Sequence, residues 1–226
     1  NSGFEDWYTE SDGLPKPAKD ASSSFWDCGN VNYFGKHIMT TQNDETALGQ
    51  GSSVKMETQE TMKIIAAGNI FTGTFERDGM GGILTLGRNF ECRPNKLKGY
   101  YKYTSAKVSV SKGHLNEGED DLCSLYIALT DEQITVNTNK GIYFDPNSSA
   151  VIAYGSISDE ESKGADSFKE FTVDLEYKDL KRIPKYIIVV ASSSKYGDYM
   201  EGGKGSTMWL DDLELVYPKS MEEVRK

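Results

Sequence analysis

Two adjacent carboxylates interrupt the apolar segment GSTMWLDDLELVY at residues 205–217. Strand alternation places Asp211 on the same face as Trp209, Leu213 and Leu215, so the pattern predicts a carboxylate among apolar side chains. A buried carboxylate loses its hydration, and it therefore needs a partner. The segment itself supplies none, because no Lys or Arg lies beside Asp211 on that face.

Calcium is one partner that suits this pattern. The N-terminal segment GFEDW (3–7) places Glu5 beside two large aromatic residues, and the loop at 40–53 carries Asp44. Because Ca²⁺ takes six to eight oxygen ligands, including carboxylates and backbone carbonyls, we predict a structural calcium held by Glu5, Asp44 and Asp211. The alternative is that Asp211 sits at a strand bend and accepts hydrogen bonds from a loop, or pairs with a lysine.

A second chemical segment, ASSSKYGDYMEGGKGS (191–206), follows the apolar run YIIVV. The segment combines aromatic rings with hydroxyl, amine and carboxylate groups, which is the set of groups that a site for a polyhydroxylated ligand such as a sugar uses. Loops at the end of a β-sandwich are where such groups usually lie. The candidate glycan contacts of this segment are Ser193, Lys195, Tyr196, Asp198 and Tyr199.

The segment KLKGYYKY adds two candidates. Alternation predicts that Leu97, Tyr101 and Tyr103 face the core, which leaves Lys98 and Tyr100 on an open sheet face. We expect Lys98 and Tyr100 to contact a glycan, with an ordinary surface tyrosine as the alternative for Tyr100.

The irregular segment SSFWDCGNVNYFGKH (23–37) interleaves aromatic residues with Asn and Gly. This composition predicts a loop that packs over the sandwich or lines a pocket. Trp26 and Asn30 are its candidate glycan contacts, and for Trp26 an anchor to the core is an equally good interpretation.

No catalytic motif is present. His37 and His114 lie in no metal-ligand spacing, and the chain has no nucleophile elbow, phosphate-binding loop or dinucleotide fingerprint. A glycosidase needs only two suitably spaced carboxylates, which 35 acidic residues do not exclude. We therefore assign no catalytic residue, and Asp198 and Glu201 are the two acids to test first.

The candidate site residues must be positioned by the strands of the fold. The chain contains many short alternating or aromatic-rich segments, which Gly-rich turns separate. They predict an all-β, two-sheet antiparallel β-sandwich of jelly-roll topology with very little helix, at most a turn at 166–171 and at 176–183. We expect one domain over residues 1–217 and a frayed tail over 218–226. The predicted strands are 52–58, 68–76, 82–90, 96–104, 106–113, 123–131, 149–157, 169–177, 184–194 and 206–217.

The charge composition of the chain argues against one class of binding partner. The 226 residues include 25 basic and 35 acidic side chains, a net charge of -10 that argues against nucleic-acid binding. No apolar run approaches the roughly 18 residues of a transmembrane helix.

The three cysteines, Cys28, Cys92 and Cys123, are too few and too far apart for a disulfide framework or a zinc site, so we predict buried free thiols, with one disulfide as the alternative. The chain begins at Asn1 without a signal-like segment, and we expect that it was processed.

Several of these segments together resemble a known family. An N-terminal GFE…W and a terminal WLDDLEL are similar to galactose-binding-like jelly rolls of carbohydrate-binding modules, in which a structural calcium often links an early acid to a late one. FWDCGN, CRPNKLKGYYKY, LYIALTD and the stretch at 171–217 resemble the putative carbohydrate metabolism domain found in Bacteroidota. The resemblance covers residues 3–217 and implies a jelly-roll sandwich with a glycan pocket.

The resemblance and the candidate residues together predict a non-catalytic glycan-binding domain that serves polysaccharide use. The alternatives are a glycoside hydrolase on the same sandwich and a structural module of a polysaccharide-uptake system. We expect an oligo- or polysaccharide ligand, no organic cofactor, and an extracellular, surface or periplasmic location in a Gram-negative bacterium. The resemblance also implies a lipid anchor and an upstream immunoglobulin-like domain in the full-length protein.

Overall fold

The computed structural model describes residues 1–219, which form antiparallel strands joined by turns. The strands are β1 (Tyr8–Thr9), β2 (Pro15–Lys16), β3 (Trp26–Asp27), β4 (Val31–Asn32), β5 (Lys36–His37), β6 (Thr40–Asn43), β7 (Ser53–Glu57), β8 (Gln59–Thr61), β9 (Ile64–Ala66), β10 (Asn69–Asp78), β11 (Gly81–Leu86), β12 (Arg88–Asn89), β13 (Lys96–Thr104), β14 (Ser124–Thr130), β15 (Ile134–Asn137), β16 (Val151–Ser156), β17 (Ala165–Asp174), β18 (Glu176–Tyr177), β19 (Tyr186–Ser192) and β20 (Thr207–Val216). Helical structure within residues 1–219 is limited to 3₁₀ turns at Ala21–Ser23, Thr138–Lys140, Glu161–Lys163 and Gly197–Tyr199.

Two large sheets face each other. The nine-stranded sheet has the order β15-β11-β10-β19-β14-β16-β18, with β3 added to β10 and β12 added to β19. The five-stranded sheet has the order β17-β13-β20-β7-β6. Three two-stranded ribbons, β1-β2, β4-β5 and β8-β9, lie outside these sheets. The predicted jelly-roll sandwich is confirmed.

The main core lies between the two sheets, and strand alternation selects its members. On β14, Leu125 and Ile127 face this core, whereas Tyr126 and Ala128 face the other side of the nine-stranded sheet. That other side has an apolar cluster of its own, because Phe71 of β10 packs there with residues of β11, β15 and β19. The nine-stranded sheet is therefore apolar on both faces, and the chain itself covers much of the outer face, where Phe71, Ala128 and Ile188 are fully buried.

Three local predictions are wrong. Residues 166–171 do not form a helical turn, because they belong to β17, which pairs with β13 and buries Phe171 and Val173. Residues 176–183 begin with β18 and contain no helical turn. The segment 106–113 is not a strand and makes only the isolated bridges Lys107–Asp120 and Val110–Gly202. Of the tail predicted to fray, residues 220–226 lie outside the described residues.

The last strand contains a β-bulge that strand alternation did not anticipate. Lys98 pairs with Glu214 and Tyr100 pairs with Asp211, so two residues of β20 oppose the single residue Gly99. Asp212 takes the bulge position at φ 47°. The bulge switches the faces: Leu213 and Leu215 join the core beside Met208 and Leu210, while Trp209 and Asp211 lie on the outer face of the five-stranded sheet. The predicted grouping of Asp211 with Leu213 and Leu215 is wrong.

The three cysteines are free thiols. Cys28 and Cys123 are buried, and burial raises the pKa of each thiol to about 12, whereas Cys92 is exposed. Within residues 1–219, no helix has the length and apolar character needed to cross a membrane.

Candidate functional site

A cleft of about 510 Å³ opens on the outer face of the nine-stranded sheet. Its floor includes Phe75 of β10 and Leu84 of β11, which pair across the two strands. The ribbons β4-β5 and β8-β9, the β10–β11 turn and the segment 197–200 form its walls. The lining is mainly apolar and aromatic, as in sites that hold small organic ligands.

Three hairpin tips place exposed apolar side chains at the mouth of the cleft. Phe34 in the β4–β5 turn is 94% exposed, Met62 in the β8–β9 turn is 84% exposed, and Met80 in the β10–β11 turn is 57% exposed. Phe34 and Met62 also have positive φ angles of 53° and 50°, which non-glycine residues adopt at a cost. Strained backbone with exposed apolar side chains around one cleft is typical of a ligand-binding surface.

A smaller cavity of about 50 Å³, here called the inner pocket, adjoins the cleft. Asn69, Leu84 and Asp198 line both cavities. The inner pocket is more polar than the cleft, since Ser124, Ser192 and Lys195 join its lining, together with Tyr126.

Asp198 lies at the junction of the cleft and the inner pocket. Its carboxylate accepts no hydrogen bond and forms no ion pair with any described residue. Partial burial raises the pKa of Asp198 from 3.8 to about 6, because the ionised form is poorly hydrated and has no compensating partner. An unpaired carboxylate in a cavity is available to a ligand.

A buried polar network holds the segment that carries Asp198. The Oδ2 atom of Asp121 accepts hydrogen bonds from Ser194 Oγ at 2.6 Å, Ser206 Oγ at 2.8 Å and the Gly203 amide at 2.8 Å. Thr58 Oγ1 extends the network to Ser194 Oγ at 2.6 Å. The two ends of the segment 194–203 are thus fixed by one carboxylate.

Glu201 is fully buried and stabilises a neighbouring turn. Its carboxylate accepts hydrogen bonds from the amides of Lys112, His114 and Leu115, and His114 Nδ1 lies 2.9 Å from Oε2. Burial by itself would raise the pKa of Glu201, but these hydrogen bonds hold it below its ordinary value. Glu201 lines neither cavity, and its oxygens are already occupied.

Tyr196 and Tyr199 pack against other rings instead of lining the cavities. Tyr196 stacks on His114 with ring centroids 4.4 Å apart, and Tyr199 stacks on Tyr143 at 3.9 Å. Lys195 lines the inner pocket, and its ammonium pairs with the exposed carboxylate of Asp159 at 3.1 Å. These contacts brace the segment around Asp198.

Three of the predicted glycan contacts are buried, and in this structure their side chains contact other parts of the protein. Ser193 is fully buried, and its hydroxyl bonds to Thr58 and to the Gly68 carbonyl. Asn30 is also buried and uses its side-chain amide to bridge backbone groups across the 30–40 segment. Trp26 packs on Phe4 in the core, with ring centroids 5.5 Å apart, so the anchor interpretation holds.

Lys98 and Tyr100 lie on the open face of the five-stranded sheet, as alternation predicted, while Leu97, Tyr101 and Tyr103 are core residues. This face belongs to the sheet opposite the cleft, so the structure does not bring Lys98 and Tyr100 together with Asp198. The glycan contact predicted for them would need a second site.

Asp211 is buried beneath the loop that follows β6. Its Oδ2 accepts a hydrogen bond from the Ala47 amide at 2.9 Å, and its Oδ1 accepts one from the Asp212 amide at 2.9 Å. Burial raises the pKa of Asp211, and these amides offset the rise only in part. The chain ends meet here, since the Leu213 amide donates to the Ser2 carbonyl.

The residues predicted to hold calcium do not form a ready metal site in this geometry. Glu5 Oε1 accepts a hydrogen bond from the Ser52 amide, and Asp44 is exposed. Within residues 1–219 no three His, Cys, Asp or Glu side chains are arranged to hold a metal ion. The observed hydrogen bonds match the alternative in which a loop satisfies Asp211, and the calcium stays a prediction.

Sequence reasoning missed most of the cleft. The 23–37 segment was expected to line a pocket, and Tyr33, Phe34 and His37 do so. The β8-β9 ribbon and the β10–β11 turn carried no predicted site residue. Their only sequence signal is a Met in a hairpin turn, at Met62 and Met80, where polar or Gly residues are usual.

Comparison with known families gives a match over nearly the whole chain. The profile of a family described as "Putative carbohydrate metabolism domain" matches residues 3–216. No curated protein matches the chain.

Two solved structures from Bacteroides are similar to this chain. A protein of Bacteroides thetaiotaomicron described as a putative glycoside hydrolase shares 26% identity at a TM-score of 0.65, over 81% of this chain and 58% of that protein. A protein of Bacteroides vulgatus with the same description shares 22% identity at a TM-score of 0.69, over 93% of this chain and 89% of that protein. The chain thus spans 58% of the length of the first of these proteins.

Proposed function

The chain belongs to the putative carbohydrate metabolism domain family, and from this premise we propose that it is a glycan-binding domain whose site is the cleft on the nine-stranded sheet. The observation that carries the proposal is the unpartnered carboxylate of Asp198 in a cleft whose lining is mainly apolar and aromatic. Apolar surface suits the C–H faces of sugar rings, and the carboxylate suits their polar substituents.

The same geometry favours binding over hydrolysis. Hydrolysis by the usual route needs two carboxylates on opposite sides of the scissile bond, about 5 to 9.5 Å apart. Among the described residues that line the cleft and the inner pocket, Asp198 is the single Asp or Glu. A glycoside hydrolase remains the second candidate, because the raised pKa of Asp198 would suit a general acid. Release of reducing sugar by the wild-type protein but not by Asp198→Asn would favour that candidate.

Replacing Phe34 with Ala is expected to weaken glycan binding about tenfold, if the ring packs on a sugar as aromatic residues do at interfaces. Phe34 is 94% exposed, so its removal should leave the melting temperature unchanged. A glycan array would identify the ligand, and isothermal titration calorimetry would measure the affinity of both proteins.

Tyr100→Ala is the matched control for this experiment, because it removes an aromatic ring from the opposite sheet. Binding should survive this change. If Tyr100→Ala abolishes binding while Phe34→Ala does not, the glycan lies on the five-stranded sheet, and the cleft is not the site.

The structural calcium at Asp211 remains a proposal with a direct test. Calcium that binds only the folded protein would stabilise it by about 2.7 kcal/mol at a hundred times Kd, so excess EDTA should lower the melting temperature by several degrees. If the amides of Ala47 and Asp212 alone satisfy Asp211, EDTA will have no effect, although Asp211→Ala will still destabilise the protein.

A location outside the cell, on its surface or in the periplasm, would expose such a domain to polysaccharide, and we propose it on that ground. Fractionation of cells that produce the full-length protein would test the location and the lipid anchor. A structural role between polysaccharide-uptake proteins would be favoured if pull-down recovered them and the array gave no ligand.

A further inference from the structure

We propose that the cleft and the inner pocket select glycans that carry a free amino group, that is, unacetylated hexosamine units. This inference rests on the proposed function and names the ligand class of the same site. It starts from Asp198, whose carboxylate lies between the two cavities without a partner.

The surroundings of Asp198 make a cationic partner the best match. Phe71, Leu84 and Val190 line the inner pocket beside it, so water around the carboxylate is limited. A ligand hydroxyl would hydrogen-bond to Asp198 but would leave its charge uncompensated. An ammonium group both donates hydrogen bonds and neutralises the charge, and such charge-assisted bonds are the stronger kind.

The protein's own cations do not take this position. Lys195 pairs with Asp159, and the guanidinium of Arg77 lies 4.3 Å from the centre of the Tyr33 ring and donates to the Gly79 carbonyl. Burial, and not a nearby charge, accounts for the shifted pKa of Asp198. The titratable or charged residues that line the cavities or influence Asp198 are Tyr33, His37, Arg77, Tyr126, Lys195 and Tyr199.

The inner pocket also has the acceptors that an ammonium group needs. An ammonium donates three hydrogen bonds. Beside the Asp198 carboxylate, the lining includes the hydroxyl-bearing side chains of Ser124 and Tyr126. Ser192 also lines the pocket, and its hydroxyl is already hydrogen-bonded to the backbone of Ser194. Its volume of about 50 Å³ admits a small substituent of a sugar ring but not a whole ring.

The charge of the chain acts in the same direction. A net charge of -10 attracts cationic ligands and repels acidic polysaccharides over long range. An unpaired carboxylate in the site adds a local penalty for uronic acids, because like charges would be held close together. The site therefore discriminates against acidic glycans as well as in favour of amino glycans.

The test compares tetrasaccharides of glucosamine, N-acetylglucosamine, glucose and galacturonic acid by calorimetry at pH 7. The wild-type protein should bind the glucosamine tetramer about ten- to a hundredfold more tightly than the glucose tetramer. Asp198→Asn should remove this preference. Asp120→Asn is the matched control, because it removes one exposed carboxylate that lines neither cavity and should keep the preference.

A pH series adds a second readout. The amine of a glucosamine unit is only partly protonated at pH 7, and the pKa of Asp198 is about 6, so affinity of the wild-type protein for the glucosamine tetramer should pass through a maximum between pH 7 and pH 5. The fall on the acid side of this maximum should be absent in Asp198→Asn. A preference for the N-acetylated, neutral or acidic tetramer, or a glucosamine preference that survives Asp198→Asn, would overturn the inference.

Failure of the inference can be told apart from failure of the proposed function. If another glycan on the array binds and Phe34→Ala weakens it, the cleft is a glycan site and only the amino-group inference is wrong. If no glycan binds at all, both are wrong.

Discussion

Asp121→Ala is expected to lower the free energy of unfolding by about 3 kcal/mol, the largest loss that we predict for a single substitution. The side chain of Asp121 is fully buried and accepts three hydrogen bonds on one oxygen, from Ser194, Ser206 and the Gly203 amide. Alanine would leave these buried donors without their acceptor. Urea unfolding would measure the loss, which corresponds to roughly 6 to 12 °C in the melting temperature of a chain of this size.

Asp120→Ala is the matched control for this prediction, because the neighbouring carboxylate is exposed and pairs with exposed Lys107. It should change the free energy of unfolding by at most about 1 kcal/mol, since surface ion pairs contribute little. Asp121→Ala should also weaken glycan binding, because the same network fixes the segment that carries Asp198. Equal stability of the two variants would show that Asp121 does not hold this segment.

The β-sandwich was predictable from the sequence because the alternation of apolar and polar residues along a strand shows which side chains are buried. The segment 96–104 became β13 with the predicted bounds, and Leu97, Tyr101 and Tyr103 point into the core. The prediction from alternation failed where the backbone departs from the regular pleated geometry of a strand. The bulge at Asp212 shifts the alternation of inward- and outward-facing residues in β20 by one position. No residue type in WLDDLEL indicates that a bulge is present.

The candidate site was predictable only in part, because it is assembled from segments far apart in the chain. Asp198 was found because it lies in a chemically varied loop after a buried strand. Phe34, Met62 and Met80 meet only through the arrangement of three hairpins, which no local pattern encodes. Ser193 and Asn30 resembled binding residues in sequence because polar residues in glycine-rich segments look alike, whether they bind a ligand or the backbone.

Asp198→Asn is expected to stabilise the protein at pH 7 and above, by at most about 3 kcal/mol. The folded-state pKa of Asp198, about 6, lies above the ordinary value of 3.8. A raised pKa of an acid means that the folded protein binds the proton more tightly, so ionisation of Asp198 costs stability above about pH 6. This cost disappears as the pH falls from about 6 to about 3.8. The stabilising effect of Asn should therefore be largest at pH 7 to 8 and vanish near pH 4.

Glu201→Gln should show the opposite sign, although Glu201 lies only three residues away. The pKa of Glu201 is lowered, so its contribution to stability is present above the ordinary value of 4.5 and is lost as the pH falls through the folded-state pKa. We expect Glu201→Gln to destabilise the protein at pH 7, by about 2 kcal/mol, because buried amide donors lose a charged acceptor. Thermal melts of both variants from pH 4 to pH 8 would measure the two effects together.

The opposite signs of the two stability changes follow from the different surroundings of the two carboxylates. Glu201 is satisfied by the protein, so the fold gains from its charge, whereas Asp198 is left unsatisfied at a cost that a ligand can offset. If a carboxylate serves binding, a substitution that removes its charge should stabilise the folded protein and at the same time lower its affinity for the ligand. If Asp198→Asn proved neutral in stability at pH 8, the carboxylate would already have a partner in solution, and its role as the polar anchor of the cleft would be lost.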